Sequence, residues 1–384
     1  KMMRQSSPPR SASHGSPKSC KSQQSPRVSL AGQMRSAEVY KQVCIRLGRQ
    51  PALNVFVDLR DHGALVIDLQ LCREVEPVIM FLREAPPGIH QVMLYNGMSF
   101  FGSDATYRVK LRAVKQRTPY SVLQDQSELR LLISALSVFC SARGSGLAVL
   151  ELTGLPLGKH DHMALTAPLL RCLSVLPSLQ RLHLAGCGLQ DKGLAVLLPQ
   201  LMGGSGRLPK LSHLSLARNG LRDTRILARF LLARAARQRR RQAVPLSILD
   251  LSENPWLGAT QPRRTRELQM APVSRESLLR VFCQAIRAGL MLKTLRLRSM
   301  GLSRDDLRPL LQLLSQEVAH LRAGFQRYFP LAEVSLEGNP LEPEFPASIN
   351  TALSQLSPAQ QFPRAAPTKP EAPAGPARPV PRSR

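Results

Sequence analysis

The sequence lacks several features that mark membrane proteins, secreted domains and metal-stabilised folds. Aromatic residues make up 4% of the 384 residues, with a single tryptophan, so the core must be built from aliphatic side chains. The seven cysteines are odd in number and form no C-x-x-C pair, which argues against a disulfide framework or a zinc ribbon. We therefore expect a reducing compartment, the cytosol or the nucleus. No apolar run approaches the roughly 20 residues of a membrane span, and the first residues lack the apolar middle of a secretory signal.

Acidic residues and enzyme motifs are also scarce. The chain has 26 Asp and Glu against 53 Lys and Arg, a formal net charge of +27. It contains no G-x-x-x-x-G-K-[ST], G-x-G-x-x-G or G-x-S-x-G motif. The densest metal-like cluster, His160-Asp161-His162, supplies no third ligand at a fixed spacing, as a zinc site requires. We therefore expect no enzyme activity, no metal and no cofactor.

What the sequence does have is an eleven-residue phrase that recurs. Its two clearest copies are residues 179–189 and residues 211–221. The first carries Leu179, Leu182, Leu184, Cys187 and Leu189, and the second carries Leu211, Leu214, Leu216, Asn219 and Leu221 at the same positions. This spacing, L-x-x-L-x-L-x-x-N/C-x-L, is that of leucine-rich repeats. The leucines are expected to fill a core shared by neighbouring repeats. Because one repeat cannot bury its apolar face alone, the repeats should stack into a curved solenoid.

Six copies of the phrase follow one another between the ends of the chain. They begin at Leu147, Leu179, Leu211, Leu246, Leu292 and Leu331, with steps of 32, 32, 35, 46 and 39 residues. These steps exceed the roughly 20–29 residues of an ordinary repeat and leave room for a full helix. The region is similar to ribonuclease-inhibitor-like leucine-rich-repeat proteins. That resemblance implies an α/β horseshoe with parallel strands on the concave face and helices on the convex face.

Helix starts and strand ends should follow from residue chemistry. N-caps are predicted at Asp191, Asp223, Ser274 and Ser303, each shortly after a strand phrase. The Asn or Cys side chain of each phrase should bond backbone groups where the chain leaves the strand. That slot holds Cys187, Asn219, Asn254 and Asn339, but Leu155 and Met300 in the first and fifth phrases. The turns at Leu155 and Met300 are therefore predicted to be less well tied.

Composition divides the chain into four segments. Residues 1–36 are predicted to be a disordered basic tail, because a Ser-, Pro- and Arg-rich segment buries too little apolar area to become ordered. Residues 37–145 are interpreted as an N-terminal cap with one or two degenerate repeats, with strands near 64–69 and 89–94 and helices near 71–84 and 127–142. Residues 146–345 form the leucine-rich-repeat domain, with an insertion near 261–273. Residues 346–384 are predicted to be a second disordered, proline-rich basic tail.

Alternate residues of each strand should point away from the core. The middle outward row is predicted to be Glu151, His183, Ser215, Asp250, Arg296 and Ser335, with flanks that include Arg181, His213, Arg218, Glu253, Arg298, Glu333 and Glu337. This concave face is mixed in charge and nearly neutral. We predict that a protein partner contacts it through Glu151, Arg181, His183, His213, Ser215, Asp250, Arg296, Arg298 and Glu333.

The basic excess lies in the tails and on the helix that follows Asp223. A contact with a polyanion is predicted for Arg222, Arg225, Arg229, Arg234, Arg237, Arg239, Arg240 and Arg241. The alternative is a solvated helix face whose arginines complement the helix C-terminus. Acidic protein tails are the favoured polyanion, since nucleic-acid binders usually add stacking aromatics or a recognisable module.

A narrower resemblance concerns the order of elements. The chain resembles centrosomal leucine-rich-repeat proteins of the seventy-eight-kilodalton type in this order. A short helix bears Tyr40 and Cys44, a degenerate strand follows at residues 67–69, and a helix begins at Pro77. After the regular repeats, a long helix runs into the arginines of residues 237–241, and the last strand ends in the Asn-Pro-Leu turn of residues 339–341. The resemblance implies a scaffold at the centrosome or flagellar basal body that modulates ubiquitin-ligase activity.

From these observations we predict a non-enzymatic intracellular scaffold that mediates protein–protein interaction without contacting a membrane. It would be cytoplasmic, at the centrosome or basal body, with the nucleus left open. The alternatives are a nucleic-acid-associated protein that uses the arginine-rich helix at 222–241 and a regulator of a ubiquitin ligase or a GTPase.

Overall fold

The structure is a computed structural model of the chain, and it describes residues 30–69, 75–96, 126–143, 146–158, 162–202, 208–254, 278–325 and 329–356. Every structural statement below concerns these residues. The predicted insertion near 261–273, the N-cap predicted at Ser274 and the pair formed by His160 and Asp161 lie outside them. Residues 1–29 and 357–384 also lie outside, so their disorder stays a prediction.

One parallel sheet runs through this part of the chain. Its eight strands pair in the order in which they occur in the sequence. They are β1 (Ala64–Asp68), β2 (Gln91–Tyr95), β3 (Val149–Thr153), β4 (Arg181–His183), β5 (His213–Ser215), β6 (Ile248–Asp250), β7 (Thr294–Arg296) and β8 (Glu333–Ser335). Sequential pairing means that each repeat adds one strand beside the previous one, as a solenoid requires.

Helices cover one side of the sheet. Two precede β1, namely α1 (Leu30–Arg46) and α2 (Leu53–His62). One follows each strand: α3 (Glu76–Glu84), α4 (Gln126–Arg143), α5 (His162–Ser174), α6 (Gln190–Met202), α7 (Thr224–Arg239), α8 (Leu278–Arg287), α9 (Arg304–Arg322) and α10 (Glu344–Gln355). From α3 to α10 each helix contacts the next. Because helices pack about 8–10 Å apart and strands about 4.8 Å apart, the stack bends with its strands on the concave side.

The leucines of the phrase close the space between sheet and helices. Leu150, Leu182 and Leu214 lie in register on neighbouring strands and are buried, and Leu249 and Leu295 continue the row. One apolar cluster extends without interruption from Ala37 in α1 to Leu356 after α10. The six phrases therefore correspond to β3–β8, and the α/β solenoid predicted from them is confirmed.

The N-terminal region is more regular than its sequence suggests. Strands β1 and β2 pair residue for residue with their neighbours, so the two degenerate repeats are complete members of the sheet. Helix α1 begins at Leu30, and its Ser36 and Tyr40 are buried. The Tyr40 ring meets the Phe81 ring of α3 edge to face, with centroids 5.5 Å apart. The prediction that residues 30–36 are disordered was therefore wrong, because composition carries no information about this long-range packing.

The C-terminal boundary was also wrong. The repeat domain was predicted to end at residue 345, but α10 continues to Gln355 and contacts both α9 and β8. Ile349, Leu353 and Leu356 are buried by these contacts. The first residues of the predicted tail thus form a helix that covers the apolar end of the last repeat.

Two of the predicted N-caps are confirmed and a third has another role. The Asp223 carboxylate accepts the backbone N–H of Arg225, and Ser303 forms a capping box with Asp306. Asp191 instead lies inside α6, and its carboxylate accepts the backbone N–H groups of Arg222 and Asp223 in the next repeat. This acid joins two repeats rather than capping its own helix.

Asparagine side chains tie each strand exit to the repeat before it. The Asn254 side chain accepts the backbone N–H groups of Asn219 and Leu221 and donates to the carbonyls of Leu216 and Leu251. Asn339 does the same for the fifth repeat, where it accepts from Met300 and Leu302. The prediction that the Met300 turn is poorly tied was therefore wrong, because the bonding side chain belongs to the following repeat.

Candidate functional site

The residues predicted to face outward do form one row across the sheet. Glu151 pairs with His183, His183 with Ser215, Ser215 with Asp250, Asp250 with Arg296 and Arg296 with Ser335. The row follows from the alternation of side chains along each strand, which places the third residue of each of these strands on the face opposite the leucines. A mixed set of acidic, basic and hydroxyl side chains thus lies along six neighbouring strands. Whether these residues bind a partner stays a prediction.

The first member of the row is buried rather than exposed. Glu151 keeps only 3% of its surface, and its carboxylate accepts the Tyr95 hydroxyl at 3.0 Å. Its other oxygen lies 3.4 Å from Nδ1 of His183. Direct contact of Glu151 with a partner was predicted, and the structure corrects this because the carboxylate is already occupied. Glu151 instead holds Tyr95 and His183 in place on the concave side.

His183 lies among the charged side chains of Glu151, Arg181, Asp250 and Arg296. Burial lowers the pKa of His183 below the ordinary value of 6.5, and the cations Arg181 and Arg296 act in the same direction. The carboxylates of Glu151 and Asp250 oppose this and raise the pKa. The net effect keeps the imidazole neutral at pH 7. A neutral imidazole can both donate and accept a hydrogen bond, which suits the recognition of a polar partner group.

Small and half-buried side chains fill the rest of the face. Ser215 and Ser335 are buried between longer neighbours, so Ser215 offers little of the contact predicted for it. Asp250 and Arg296 are half-buried. Arg181 and His213 are half-buried too, and they lie side by side as the first residues of β4 and β5. These four side chains are the central part of the face that a partner can reach.

Several charged residues at the strand starts and strand ends already have partners within the protein. Glu333 is exposed and accepts the hydroxyl of Thr294 at 3.2 Å. Arg298 lies 3.0 Å from Glu337, and Arg218 pairs with Glu253 where the strands end. The predicted contact residues Arg298 and Glu333 are therefore accessible and already have partners within the protein.

Strands β1 and β2 supply a part of the concave face that was not among the predicted contact residues. The row of Glu151 continues through Met93 to Val66, and Tyr95 lies beside Thr153. Most of these side chains are apolar or aromatic, unlike the charged centre. Strands were predicted near 64–69 and 89–94, but the outward row was not extended into them because they match the leucine phrase poorly. The alternation of residues 89–94 could have identified these side chains.

The arginine-rich segment proves to be divided between surface and core. Arg222, Arg225, Arg229, Arg239, Arg240 and Arg241 are exposed or nearly so, and Arg237 is half-buried. Arg225 forms an ion pair with Asp223.

Arg234 belongs to the core of this segment. It keeps 3% of its surface and donates to the backbone carbonyls of Leu208, Leu211 and Val244. Burial lowers the pKa of Arg234 to about 10, which leaves the guanidinium charged at pH 7. The predicted polyanion contact at Arg234 was therefore wrong, because the helix turns this residue inward to bond the loops beneath it.

The cysteines of the described residues are buried thiols. Cys187 donates to the carbonyl of Leu152 at 2.6 Å, and burial raises its pKa to about 12. Cys140 and Cys172 contact each other through their sulfurs, 2.6 Å apart between α4 and α5. Cys172 therefore has a pKa well above the ordinary value, because of the Cys140 hydrogen bond and burial. Thiols that resist ionisation are poor nucleophiles.

Metal-binding and membrane-spanning features are both absent from the described ranges. No group of three or more His, Cys, Asp and Glu side chains there is placed to hold a metal ion. The helices of the same ranges include none that is long and apolar enough to cross a membrane.

A comparison with protein families agrees with the architecture. A family model described as a leucine-rich repeat matches residues 175–198, which contain β4 and the first nine residues of α6. With the eight-stranded parallel sheet and its alternating helices, this match defines a leucine-rich-repeat solenoid. No curated protein matches the sequence. The repeats themselves are consistent with a surface for protein interaction.

Proposed function

We propose that this protein is a non-enzymatic scaffold that binds a protein partner on the concave face of its solenoid. The observation that carries the proposal is the row of polar and charged side chains that runs in register from β3 to β8. A continuous surface of this kind, built on a rigid sheet, suits an extended contact better than a reaction at one point. Acidic and basic side chains both occur along it, so specificity would come from electrostatic complementarity.

The buried part of the face supports the proposal in a second way. The Tyr95 hydroxyl bonds Glu151, and the largely buried His183 ring lies 3.4 Å from the same carboxylate, so neither side chain needs to be ordered when a partner arrives. Side chains that are already fixed lose less conformational entropy on binding, which leaves more of the contact energy for affinity. The accessible contacts would then be Arg181, Asp250 and Arg296 at the centre and Glu333 at the end.

The test compares two charge-balanced quadruple variants. The concave variant carries Arg181→Ala, Asp250→Ala, Arg296→Ala and Glu333→Ala. The control carries Arg130→Ala, Arg308→Ala, Asp305→Ala and Glu342→Ala, all on exposed positions away from the concave face. Affinity capture followed by quantitative mass spectrometry should show proteins that are lost with the concave variant and kept with the control. An identical set of captured proteins for both variants would overturn the proposal.

The cellular setting of this scaffold is part of the proposal. The order of elements shared with centrosomal leucine-rich-repeat proteins supports a cytoplasmic scaffold at the centrosome or flagellar basal body. Fluorescent tagging in the native cell should then give a spot at that organelle. A diffuse or nuclear signal would argue against this setting while leaving the concave face untouched.

A role as a regulator of a ubiquitin ligase or GTPase would be one form of the same scaffold. It predicts that a partner captured by the concave face is a ligase or a GTPase whose turnover changes on binding. Activity of the isolated partner, measured with and without the protein, would test this. Unchanged turnover with a bound partner would leave a passive scaffold.

Association with nucleic acid through residues 222–241 is the alternative. The exposed arginines of that segment support it, although Arg234 is withdrawn into the core and Arg225 has an acidic partner. It predicts retention of single-stranded RNA or DNA at about 50 mM salt that is lost steeply as salt rises, because each neutralised phosphate releases counterions. No retention at low salt would remove this alternative.

A further inference from the structure

The solenoid has two edges, and their charges differ. Strands begin and helices end at one edge, while strands end and helices begin at the other. Around the second edge, acids and bases are interspersed, as at Asp223 with Arg225 and at Glu253 with Arg218. Around the first edge, three consecutive helix-to-strand connections carry exposed cations. These are Lys210 before β5, Arg239, Arg240 and Arg241 at the end of α7, Arg287 at the end of α8 and Lys293 before β7. We call these six residues the basic edge.

Acidic residues are absent from the sequence of these connections. No Asp or Glu occurs between Asp191 and Asp223, between Asp223 and Asp250, or between Glu276 and Asp305. The repeat pattern explains this distribution, since each of these acids except Glu276 has its place near a helix start or on a strand. Cations near a helix C-terminus are favourable for the helix dipole, and one per helix would account for Arg287. Three successive arginines at the end of α7 and two lysines in the loops exceed that need.

The three connections are bonded to one another. The backbone N–H of Val244 donates to the carbonyl of Pro209 at 2.9 Å, which joins the first connection to the second. The second is joined to the third because the N–H of Met291 donates to the side chain of Gln238 at 2.7 Å. The Arg239 side chain also lies against Gly289, where an added Cβ would come within 2.8 Å of the Arg239 Cγ.

Arg234 reinforces the same joint from inside. Its guanidinium spans the carbonyls of Leu211 and Val244, so the strand start and the loop after α7 are held by one buried charge. The six cations of the basic edge are therefore displayed on a cross-linked support rather than on independent loops. Cations held on neighbouring connections that contain no acid raise the local positive potential, which favours a multivalent anion. The nearest acid named above is Glu333, at the start of β8.

We infer that the basic edge is a docking surface for an acidic, extended polypeptide segment of a partner protein. Four of the six cations are arginines, whose planar guanidinium groups pair with carboxylates through two hydrogen bonds. An acidic chain in the extended polyproline II conformation has three residues per turn and rises about 3.1 Å per residue, so every third side chain lies on the same face, about 9 Å further on. That step matches the spacing of about 8–10 Å between neighbouring helix ends. A run of glutamates can therefore meet successive connections without distortion.

Other polyanions fit this surface less well. Residues 208–213, 237–247 and 287–293 contain no Phe, Tyr or Trp, so the connections offer no aromatic platform on which bases could stack. Their leucines at 208, 211, 246, 290 and 292 are buried, and Val244 and Met291 are half-buried, so these connections expose little apolar surface to a lipid bilayer. The basic edge borders the concave face, since the backbone N–H of Glu333 donates to the carbonyl of Lys293 at 3.1 Å, but none of its six cations belongs to the concave set. This inference therefore goes beyond the proposed function.

The test uses the full chain and a fluorescein-labelled peptide of about 15 glutamates, followed by anisotropy at low salt. The edge variant carries Lys210→Gln, Arg240→Gln, Arg241→Gln and Lys293→Gln. The matched control carries Lys192→Gln, Arg222→Gln, Arg304→Gln and Arg308→Gln on the opposite edge, so both variants lose the same charge. We expect the edge variant to weaken binding about tenfold and the control to weaken it less than about threefold.

Three results would overturn the inference. Equal weakening by both variants, or none by either, would mean that the peptide follows the net charge or binds elsewhere. Tighter, edge-dependent binding of an oligothymidylate of similar length would assign the surface to nucleic acid. Edge-dependent binding of phosphatidylserine vesicles without peptide binding would assign it to a membrane. The concave variant described above should bind the peptide like the natural chain, so that failure of the concave proposal can be told apart from failure of this one.

Discussion

At the scale of single residues, the structure depends on polar side chains that bond backbone rather than solvent. Asn219, Asn254 and Asn339 each connect two repeats through their amide groups, and Arg234 connects three backbone carbonyls from within the core. Parallel strands that end at a turn leave donors and acceptors that must be satisfied when buried. These residues supply the partners. Replacing any one of them should therefore lower the free energy of unfolding by more than replacing an exposed polar residue does.

Asn254→Ala tests this at one position. The change leaves two backbone N–H groups and two carbonyls without their partner in a buried site, so we expect the free energy of unfolding to fall by about 3 kcal/mol. Asn350→Ala, an exposed position on α10, is the matched control and should change it by less than about 0.5 kcal/mol. Urea denaturation followed by circular dichroism measures both. Equal effects of the two variants would contradict the bonding role.

Protonation of His183 should couple stability to pH. Burial lowers the folded-state pKa of His183, and burial likewise lowers that of His90, so the unfolded chain binds these protons at higher pH than the folded chain does. Stability is therefore fully present above pH 6.5 and falls as the pH drops through that value. His183→Gln should make the decline in urea midpoint between about pH 7.5 and 5.5 shallower. A decline as steep in His183→Gln as in the natural chain would refute the coupling.

At the scale of elements, the strand and helix of each repeat are positioned by their neighbours. The turn after β3 lies against the turn after β4, where the N–H of Gly158 donates to the carbonyl of Cys187 at 3.1 Å. A Cβ added at Gly158 would come within 1.9 Å of the backbone oxygen of Gly188. Two backbones approach here more closely than any side chain allows. The glycine therefore sets the distance between two repeats.

Gly158→Ala should push the turn after β3 away from the turn after β4. Because both partners are backbone, neither can move aside cheaply, and we expect a loss of about 1–3 kcal/mol in the free energy of unfolding. Gly146→Ala is the control, since nothing lies within 4 Å of the Cβ it would add. Thermal denaturation of the two variants measures the difference. A midpoint for Gly158→Ala as high as that for Gly146→Ala would show that the turns can part without cost.

At the scale of the whole molecule, each repeat has neighbours on both sides except at the two ends. Helices α1 and α2 close the first end, and α10 closes the last. The apolar cluster is continuous, so an uncovered end would expose side chains that elsewhere lie between repeats. Stability is then expected to depend strongly on the terminal helices.

Two C-terminal truncations test this dependence. Ending the chain after residue 343 removes Phe345, Ile349, Leu353 and Leu356, each of which is buried and contributes about 1.5–3 kcal/mol. Ending it after residue 356 keeps all four. We expect the shorter chain to unfold at lower temperature and to bind a hydrophobic dye, and the longer one to behave like the natural chain. Matching melting curves for the two truncations would show that α10 is dispensable.

The sequence by itself determined the repeat fold and the side on which each strand residue lies. The leucine phrase contains the alternation of strand side chains, and its recurrence brings equivalent positions into register. For that reason the spacing of the leucines alone places Glu151, His183, Ser215, Asp250 and Arg296 in one row, and the strand pairing agrees with it. The Asp223 and Ser303 caps were equally local, since each bonds residues within the next three positions.

Only the tertiary structure decided which of these residues are accessible and which elements close the ends. The Glu151 carboxylate accepts a hydrogen bond from Tyr95 of another strand. The Arg234 guanidinium donates to carbonyls of two loops. The burial of α1 and α10 depends on packing against other elements, and the basic edge depends on three connections that meet in space. Each of these outcomes rests on contacts between repeats. A repeat pattern describes one unit at a time and carries no record of them.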